Sequence, residues 1–459
     1  MIRNSIKPYL FAAAATLTAI LPPVAATAET LADALVAAYR NSNLLDQNRA
    51  TLRAADEDVA DAVSALRPVV SWVAKAVHTD YQSNVPTENL TATLLLNAEL
   101  TLLDFGKSRT SIDIAKESVL ATRAALVGVE QNVLLAAVQA YADVKSASEQ
   151  VAINQNSVRV LGEELKATKD RFEVGEVTRT DVSLAEAQVA AARAQLAAAR
   201  GTLSVAREAY KAATGHYPQS LAGFPKVPNL PRSLDAARAT ALQAHPSIKQ
   251  AQHLVSVSEL QMKLAAKSRL PSVTGSVVVG VPEGGNNNYA QATVQASQAI
   301  YSGGALSAAH RKAVAGRDAS RAGLNEASVS VVEAVSNVWS SLDIYRAQIN
   351  AYDEQIRAAR IAYDGVKEEA TLGARTTLDV LDAEQTLLDA QASRIDAEAA
   401  LQVANYQLLA AMGLLTVENL NLGIPTYDPT AYYNAVRTAP YTSTQGKSLD
   451  RVLRAIGKE

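Results

Sequence analysis

The chain has 459 residues, and its 43 Lys and Arg against 46 Asp and Glu give a net charge of −3, which argues against a nucleic-acid-binding protein. Gly 21 and Pro 15 are few, and aromatic residues make up only 5%, which disfavours an all-β fold or a compact enzyme core and favours long helices. With Cys 0, the sequence excludes thiolate metal sites, disulfides and thiol catalysis.

Residues 1–28 have the pattern of a signal peptide. Arg3 and Lys7 precede an apolar segment over residues 10–21, and an A-x-A cleavage motif ends at Ala28. We therefore expect an exported chain. A continuous run of 18 or more apolar residues does not follow, so the mature chain is expected to be either soluble or a β-barrel of the outer membrane.

The rest of the chain contains an internal duplication. Residues 174–182 read VGEVTRTDV and residues 372–380 read LGARTTLDV, an offset of 198. Glycine and proline positions agree between the copies, at Gly175/Gly373, Gly106/Gly304 and, with an offset of 203, Pro68/Pro271. We predict a first repeat over 29–215, a Pro-rich linker over 216–233, a second repeat over 234–413, and a tail over 414–459.

Each repeat is predicted to have the same order of elements. A helix ends at a proline, a β-hairpin follows, a glycine opens a very long helix, and a second glycine ends that helix before a returning one. In the first repeat we predict a helix over 30–66, a hairpin over 69–104, a long helix from about 107 and a tip over 173–180. In the second repeat we predict a hairpin over 272–302, a long helix from about 305 and a tip over 371–378.

The hairpins alternate between apolar and polar residues, as half-buried strands do. We expect Leu94, Leu96, Val277 and Val294 on a lipid-facing side, and Thr93, Asn97, Thr293 and Gln295 on the opposite, lumenal side. Four such strands cannot close a barrel, for which eight is about the minimum. A homotrimer would supply twelve.

The long helices carry apolar residues at seven-residue spacing, the pattern of supercoiled packing. One series is Ile112, Val119, Leu126 and Val133, and a neighbouring series begins at Leu120. Two adjacent series on one helix indicate contact with two partner helices at once, as in a closed ring of helices.

These features together resemble the TolC family of outer-membrane efflux proteins. The resemblance lies in the helix–Pro–hairpin–Gly–helix order, the junctions at Pro68, Gly106, Pro271 and Gly304, and the tips around Gly175 and Gly373. It implies a mainly α fold with a small β part, in which a trimeric 12-stranded β-barrel in outer-membrane lipid continues into a periplasmic α-helical barrel. The tail over 414–459 would lie near the equator of that barrel.

The resemblance also implies function and partners. A channel-tunnel of this family would export drugs or secreted proteins from an inner-membrane transporter of the RND, MFS or ABC type, through a periplasmic adaptor. The sequence does not distinguish drug efflux from type I secretion, nor does it name the transporter. The alternative from another class is a periplasmic coiled-coil scaffold or adaptor without a pore, against which the two amphipathic hairpins argue.

By resemblance, the tips hold a periplasmic gate. Arg375, Asp181 and Thr180 would close it, and Asp379 and Asp382 would form an acidic ring at the aperture. The alternative for both tip aspartates is a capping role, since Thr178-x-x-Asp181 and Thr376-x-x-Asp379 are helix-capping sequences. The family's aromatic residue before the second tip is replaced by Ala370, and Tyr363 lies a heptad earlier.

Motifs for catalysis are missing from the sequence. The five His residues have no H-E-x-x-H or similar spacing, and neither a G-x-x-x-x-G-K-[ST] phosphate loop nor a G-x-S-x-G motif occurs. We therefore expect no enzyme activity, no metal and no cofactor.

Overall fold

The structure is a computed structural model that describes residues 28–81, 87–226, 229–282 and 288–439, together with Arg451. The predicted signal peptide lies outside the described residues except for Ala28. The helices are α1 (Leu31–Asn41), α2 (Asn43–Ser64), α3 (Lys107–Glu173), α4 (Arg179–Thr214), α5 (Leu234–Ala244), α6 (Pro246–Lys267), α7 (Ala305–Thr371), α8 (Thr377–Ala411) and α9 (Pro429–Val436), and the strands are β1 (Val69–Tyr81), β2 (Thr87–Leu103), β3 (Ser272–Pro282) and β4 (Tyr289–Ser297).

The helix predicted over 30–66 is wrong as a single element, because the chain breaks it at Ser42. This residue is extended, with φ −75° and ψ 108°, and its hydroxyl accepts a hydrogen bond from the Leu45 amide to cap α2. The second repeat breaks at the corresponding place, where His245 is extended and Pro246 opens α6. Serine and a residue before proline both favour such a boundary over a continuous helix.

The four strands form one antiparallel sheet in the order β1-β2-β3-β4. The register pairs Trp72 with Leu96, Leu96 with Val279, and Val277 with Ala292. Because directly paired residues point to the same side, the sheet has a mixed face, which includes Val73, Leu95 and Val278 beside polar residues, and a mainly apolar face. Leu94, Leu96, Val277 and Val294 lie on that face, and Thr93, Asn97, Thr293 and Gln295 lie on the other.

The second hairpin is shorter than predicted. Strand β4 ends at Ser297, and residues 298–304 lead irregularly into α7, so Ile300 and Tyr301 do not continue the alternation. Both side chains are almost fully exposed, at 98% and 88%.

The long helices lie side by side in a single layer. Toward the tips the order is α4-α3-α8-α7, and next to the sheet it is α2-α3-α6-α7. Helix α3 therefore lies inside the layer, whereas α4 and α7 form its edges. Residues of the predicted seven-residue series on α3, including Ile112, Val119 and Leu134, are buried, while much of α7 is exposed.

The largest hydrophobic core lies midway along the molecule, where α1 and α5 pack against the long helices. It contains Leu35, Leu134, Tyr141, Leu342 and Leu408. Within the described part of the chain, α3 is also long and apolar enough in one stretch to cross a membrane by length and composition. This helix packs against α4, α6 and α8.

The C-terminal segment returns to α2. Although its sequence has little periodicity, it forms the short helix α9, with Asp428 as its N-cap. The Tyr432 hydroxyl donates to the Glu57 carboxylate at 2.6 Å, and the Arg67 guanidinium donates to the carbonyls of Thr438 and Ala439. These contacts hold the segment against the outer end of α2.

Candidate functional site

The two helix tips have nearly identical turns. Gly175 and Gly373 have φ of 79° and 78°, the left-handed conformation that glycine adopts without strain. In the first tip the Glu176 amide donates to the Arg171 carbonyl at 2.9 Å, and in the second the Ala374 amide donates to the Glu369 carbonyl at 2.9 Å. These bonds satisfy carbonyls that a helix end leaves free, as predicted for C-cap glycines.

The tip aspartates are both engaged in helix caps. One Asp181 oxygen accepts from the Thr178 amide at 2.8 Å and from its hydroxyl at 2.7 Å, and Asp379 accepts from Thr376 at 2.9 Å in both cases. Hydrogen bonds from these threonines hold the pKa of each carboxyl below its usual range. The capping interpretation is thus confirmed, and both aspartates are ionised at neutral pH.

Arg375 binds within its own tip. Its Nε lies 2.9 Å from Oε2 of Glu369, and both side chains are about half exposed. Among the described residues of a single chain, Arg375 and Asp181 do not form an ion pair. The predicted Arg375–Asp181 contact therefore stays a prediction for contact between copies, in which Asp181 would compete with Glu369.

The other predicted gate residues lie at the same end. Thr180 and Asp382 are exposed, and Thr180 lies in the first turn of α4 and Asp382 in the second turn of α8. Ala370, at the position of the family's aromatic residue, is 8% exposed. The Tyr363 hydroxyl contacts Lys367, whose Nζ lies 3.5 Å away.

The predicted junctions lie where the sheet meets the helices. Pro68 and Pro271 each stand directly before a strand, and Gly106 and Gly304 are the N-caps of α3 and α7 with φ of 80° and 86°. At Gly106 a side chain would also meet Lys267, whose Nζ donates to the Gly106 carbonyl at 3.0 Å. This bond joins the first long helix to α6 of the second repeat.

The polar face of the sheet is concave. A cavity of about 380 Å³ on this face is lined by Val73, Leu95, Asn97, Glu99, Thr274, Ser276, Val278 and Gln295. The opposite face presents Trp72, Leu96 and Val294, which are 72%, 52% and 72% exposed. A sheet with an apolar convex face and a polar concave face has the polarity of a barrel wall in lipid.

One acidic residue near the tips was missed by the site prediction. Glu384 on α8 is only 6% exposed, and burial raises its pKa to about 7. The duplication pairs Glu384 with Glu186 at the offset of 198, but it does not indicate that Glu384 is buried.

The described residues contain no group of three or more His, Asp or Glu side chains arranged to hold a metal ion. The two histidine–carboxylate contacts, His216–Glu29 and His253–Glu117, each have nitrogen–oxygen distances of 2.9 Å and join neighbouring segments of the helical wall. They fit a structural role.

The long helical wall, the duplicated hairpins and the two-sided sheet define an outer-membrane channel protein. The sequence pattern of the family described as Outer membrane efflux protein matches residues 34–216 and 237–414, and the chain belongs to that family. Each matched segment begins inside one predicted repeat and ends one residue beyond it.

Named relatives agree with this assignment. The chain is 35% identical over 440 residues to the outer membrane efflux protein BepC of Brucella suis, covering 93% of this chain and 95% of the relative. It is 25% identical over 452 residues to the outer membrane protein TolC of Escherichia coli, covering 91% and 90%. The chain is thus an outer-membrane efflux protein, which rejects the alternative of a periplasmic scaffold without a pore.

Solved structures show the same fold. The Campylobacter jejuni CmeC outer membrane channel superposes with a TM-score of 0.76 at 16% identity, covering 90% of both chains. VceC from Vibrio cholerae gives a TM-score of 0.72 at 22% identity, covering 83% of this chain and 96% of that one.

Proposed function

We propose that three copies of this chain form one channel-tunnel that exports small toxic compounds across the outer membrane. The observation that carries the proposal is that the described residues of a single chain form an open sheet and an open layer of helices. Strands β1 and β4 each have one free side, and three copies would supply twelve strands.

The helical layer supports the same assembly. Its edge helices expose apolar side chains, with Val205 of α4 71% exposed and Ile344 and Ile361 of α7 53% and 69% exposed. In a ring of three, α4 of one copy would lie beside α7 of the next, and these side chains would leave water. The polar concave face of the sheet would then line the lumen.

We assign closure of the pore to the tips, with Arg375 bridging to Asp181 and Thr180 of an adjacent tip and with Asp379 and Asp382 forming the acidic ring. The exposed tips are also the proposed contact for a periplasmic adaptor, which would join the channel to an inner-membrane transporter. Efflux is favoured over protein secretion because the efflux protein BepC matches at 35% identity over 93% of the chain, whereas the alkaline protease secretion protein AprF matches at 26% over 62%.

The test is a gene deletion in the native host followed by complementation. Cells that lack the protein should accumulate an efflux dye such as ethidium, and the wild-type gene should restore its exclusion. A secreted protein retained in the deletion strain with unchanged dye accumulation would replace efflux by type I secretion. Unchanged dye accumulation and unchanged secretion together would contradict the proposal.

A further inference from the structure

The duplicated tips contain a lysine and a glutamate at matched positions, but the two copies use them differently. In the first repeat, Lys169 Nζ on α3 lies 2.7 Å from Oε1 of Glu186 on α4, and the two side chains are 48% and 52% exposed. This is an ordinary solvated ion pair. The matched residues in the second repeat, at the offset of 198, are Lys367 and Glu384.

Lys367 and Glu384 do not form that pair. Lys367 Nζ lies instead 3.5 Å from the Tyr363 hydroxyl and 5.5 Å from the centre of its ring. Glu384 is 6% exposed, and its carboxylate takes part in no hydrogen bond or ion pair within the part of the chain that the structure describes.

The difference follows from the positions of the helices in the layer. Helix α4 is at the edge, so Glu186 faces water. Helix α8 lies between α7 and α3, so Glu384 is covered on both sides. Because α3 and α8 belong to different repeats, Glu384 lies in the seam between the two helix pairs of one protomer.

The charged and titratable groups that face Glu384 come from both neighbouring helices. Helix α7 contributes Lys367, which favours the ionised carboxylate, and the Tyr363 phenol, whose own pKa is raised by burial. Helix α3 contributes Glu164, a second carboxylate that disfavours ionisation. Helix α4 contributes apolar Val189 and Ala192 to the nearby cluster around Leu381 and Leu161.

We propose that the α3–α8 seam at the tips is a pH-responsive lock of the gate, in which Glu384 must be uncharged for the two helix pairs to pack tightly. The proposal rests on the function proposed above, since it concerns the same aperture. Burial and Glu164 outweigh Lys367, so the pKa of Glu384 is raised from 4.5 to about 7 in the packed seam.

The sign of the pH effect follows from linkage. A separated seam would hydrate Glu384 and return its pKa toward 4.5, so the separated form binds fewer protons between these two values. The packed seam is therefore most favoured at low pH, loses stability as the pH rises from about 4.5 to about 7, and changes little above that. The capped Asp181 and Asp379 do not mimic this response, because the pKa of each is already lowered.

The experiment measures the open fraction of the purified protein in planar bilayers at pH 5 and pH 8. We expect at least a roughly tenfold larger open fraction at pH 8 for the wild type, which corresponds to one unit of pKa difference per gate. Glu384→Gln, which is isosteric and uncharged, should remain mostly closed at both pH values. Glu186→Gln is the matched control and should behave as the wild type.

Glu164→Gln gives an independent variant that leaves Glu384 in place. Removing the facing carboxylate should lower the pKa of Glu384 in the packed seam, so the difference in open fraction between pH 5 and pH 8 should become smaller than in the wild type. If Glu384→Gln does not assemble, a Glu164→Gln protein with the wild-type difference in open fraction between pH 5 and pH 8 overturns the proposal. A Glu384→Gln protein with the wild-type pH response, or a Glu186→Gln protein that has lost it, also overturns the proposal.

The two proposals fail in different ways. A wild-type protein that forms no channels at either pH would contradict the channel function itself. A wild-type protein that conducts with the same open fraction at pH 5 and pH 8 would contradict the lock alone.

Discussion

We propose that Arg375 exchanges between two carboxylate partners and that this exchange sets the state of the tip. Within one chain it binds Glu369 at 2.9 Å, and between copies we assign it to Asp181. Exposed pairs of this kind are weak, so a docking protein can exchange one for the other. A residue held by a weak, replaceable bond is suited to a gate.

We predict that Arg375→Ser increases single-channel conductance in planar bilayers and sensitises cells to large antibiotics, because it removes the bridge between copies. Glu369→Gln is a control for which we expect a change of conductance in the opposite direction. It removes the competing partner within the chain and should lower conductance. Equal effects of the two variants in the same direction would contradict the assigned competition.

The acidic ring requires variants that keep the helix caps. Because Asp379 accepts hydrogen bonds from Thr376, alanine there would disturb the start of α8 as well as the ring charge. Asp379→Asn with Asp382→Asn retains a capping side chain and removes the charge. We expect weaker block by multivalent cations with closure unchanged, measured as conductance against added trivalent cation. Unchanged block would remove these residues from the ring.

The buried carboxyl of Asp56 on α2 leads us to predict a second pH effect, which acts on the free energy of unfolding. Its side chain is fully buried, the nearest cation is Arg123 at 3.9 Å, and burial raises its pKa from 3.8 to about 6. The folded state therefore holds a proton that the unfolded state releases as the pH rises from about 3.8 to 6, and stability falls over that window by up to about 3 kcal/mol.

Asp56→Asn should remove this loss. Its thermal midpoint, measured by circular dichroism at pH 4 and pH 7.5, should change less between the two conditions than that of the wild type. Asp58→Asn, on the exposed side of the same helix, is the control and should keep the wild-type difference. An Asp56→Asn protein with the same pH dependence as wild type would contradict the assignment.

Residue roles were predictable from sequence where the interaction is local. The threonine–aspartate spacing at both tips predicted the caps that the structure contains, since both partners lie within one turn. The burial of Glu384 was not predictable, because Glu186 has the same local sequence position and differs only in where its helix lies in the layer.

At the scale of elements, the sheet has two chemically distinct faces. Lysine at Leu96 or Val294, on the apolar face, should impair insertion into the outer membrane by roughly 2–4 kcal/mol near the bilayer midplane. Lysine at Asn97 or Gln295, on the concave face, should be tolerated. Membrane fractionation measures both, and equal tolerance of the two sets would mean that the faces are assigned wrongly.

The helix-ending glycines differ in what surrounds them. Gly413 has φ 78°, and a β-carbon there would lie 2.7 Å from the His245 backbone, whereas Gly373 has φ 78° with open space around it. Gly373→Ala should cost only the left-handed conformation, roughly 1–2 kcal/mol. Gly413→Ala should lower the thermal midpoint further, because α8 can no longer approach the α5–α6 turn. An equal loss in both variants would contradict a close-approach role for Gly413.

The order and length of the long helices could be predicted from the sequence, because the proline and glycine residues that mark their ends act locally. The break at Ser42 was missed, since the apolar spacing of α1 and α2 fits one helix as well as two. The early end of β4 was missed for a similar reason, because Ile300 and Tyr301 extend the alternation beyond the last paired residue, Ser297.

At the scale of the whole molecule, we propose that one chain is an open piece of a closed assembly. In the part of the chain that the structure describes, β1 and β4 each have one unpaired edge and α4 and α7 expose apolar side chains, which another copy of the chain would cover. The sequence predicted the number of copies from the strand count, since four strands are too few and twelve close a barrel. Which side chains meet between copies depends on packing that a single sequence does not specify.

The mass of the detergent-solubilised mature protein, measured by native mass spectrometry, tests this account most directly. We predict a homotrimer that persists after dilution, because separation would expose the edges of β1 and β4 and the apolar sides of α4 and α7. A stable, folded monomer under the same conditions would contradict the closed barrel, and with it the channel, the gate between copies and the proposed route of export.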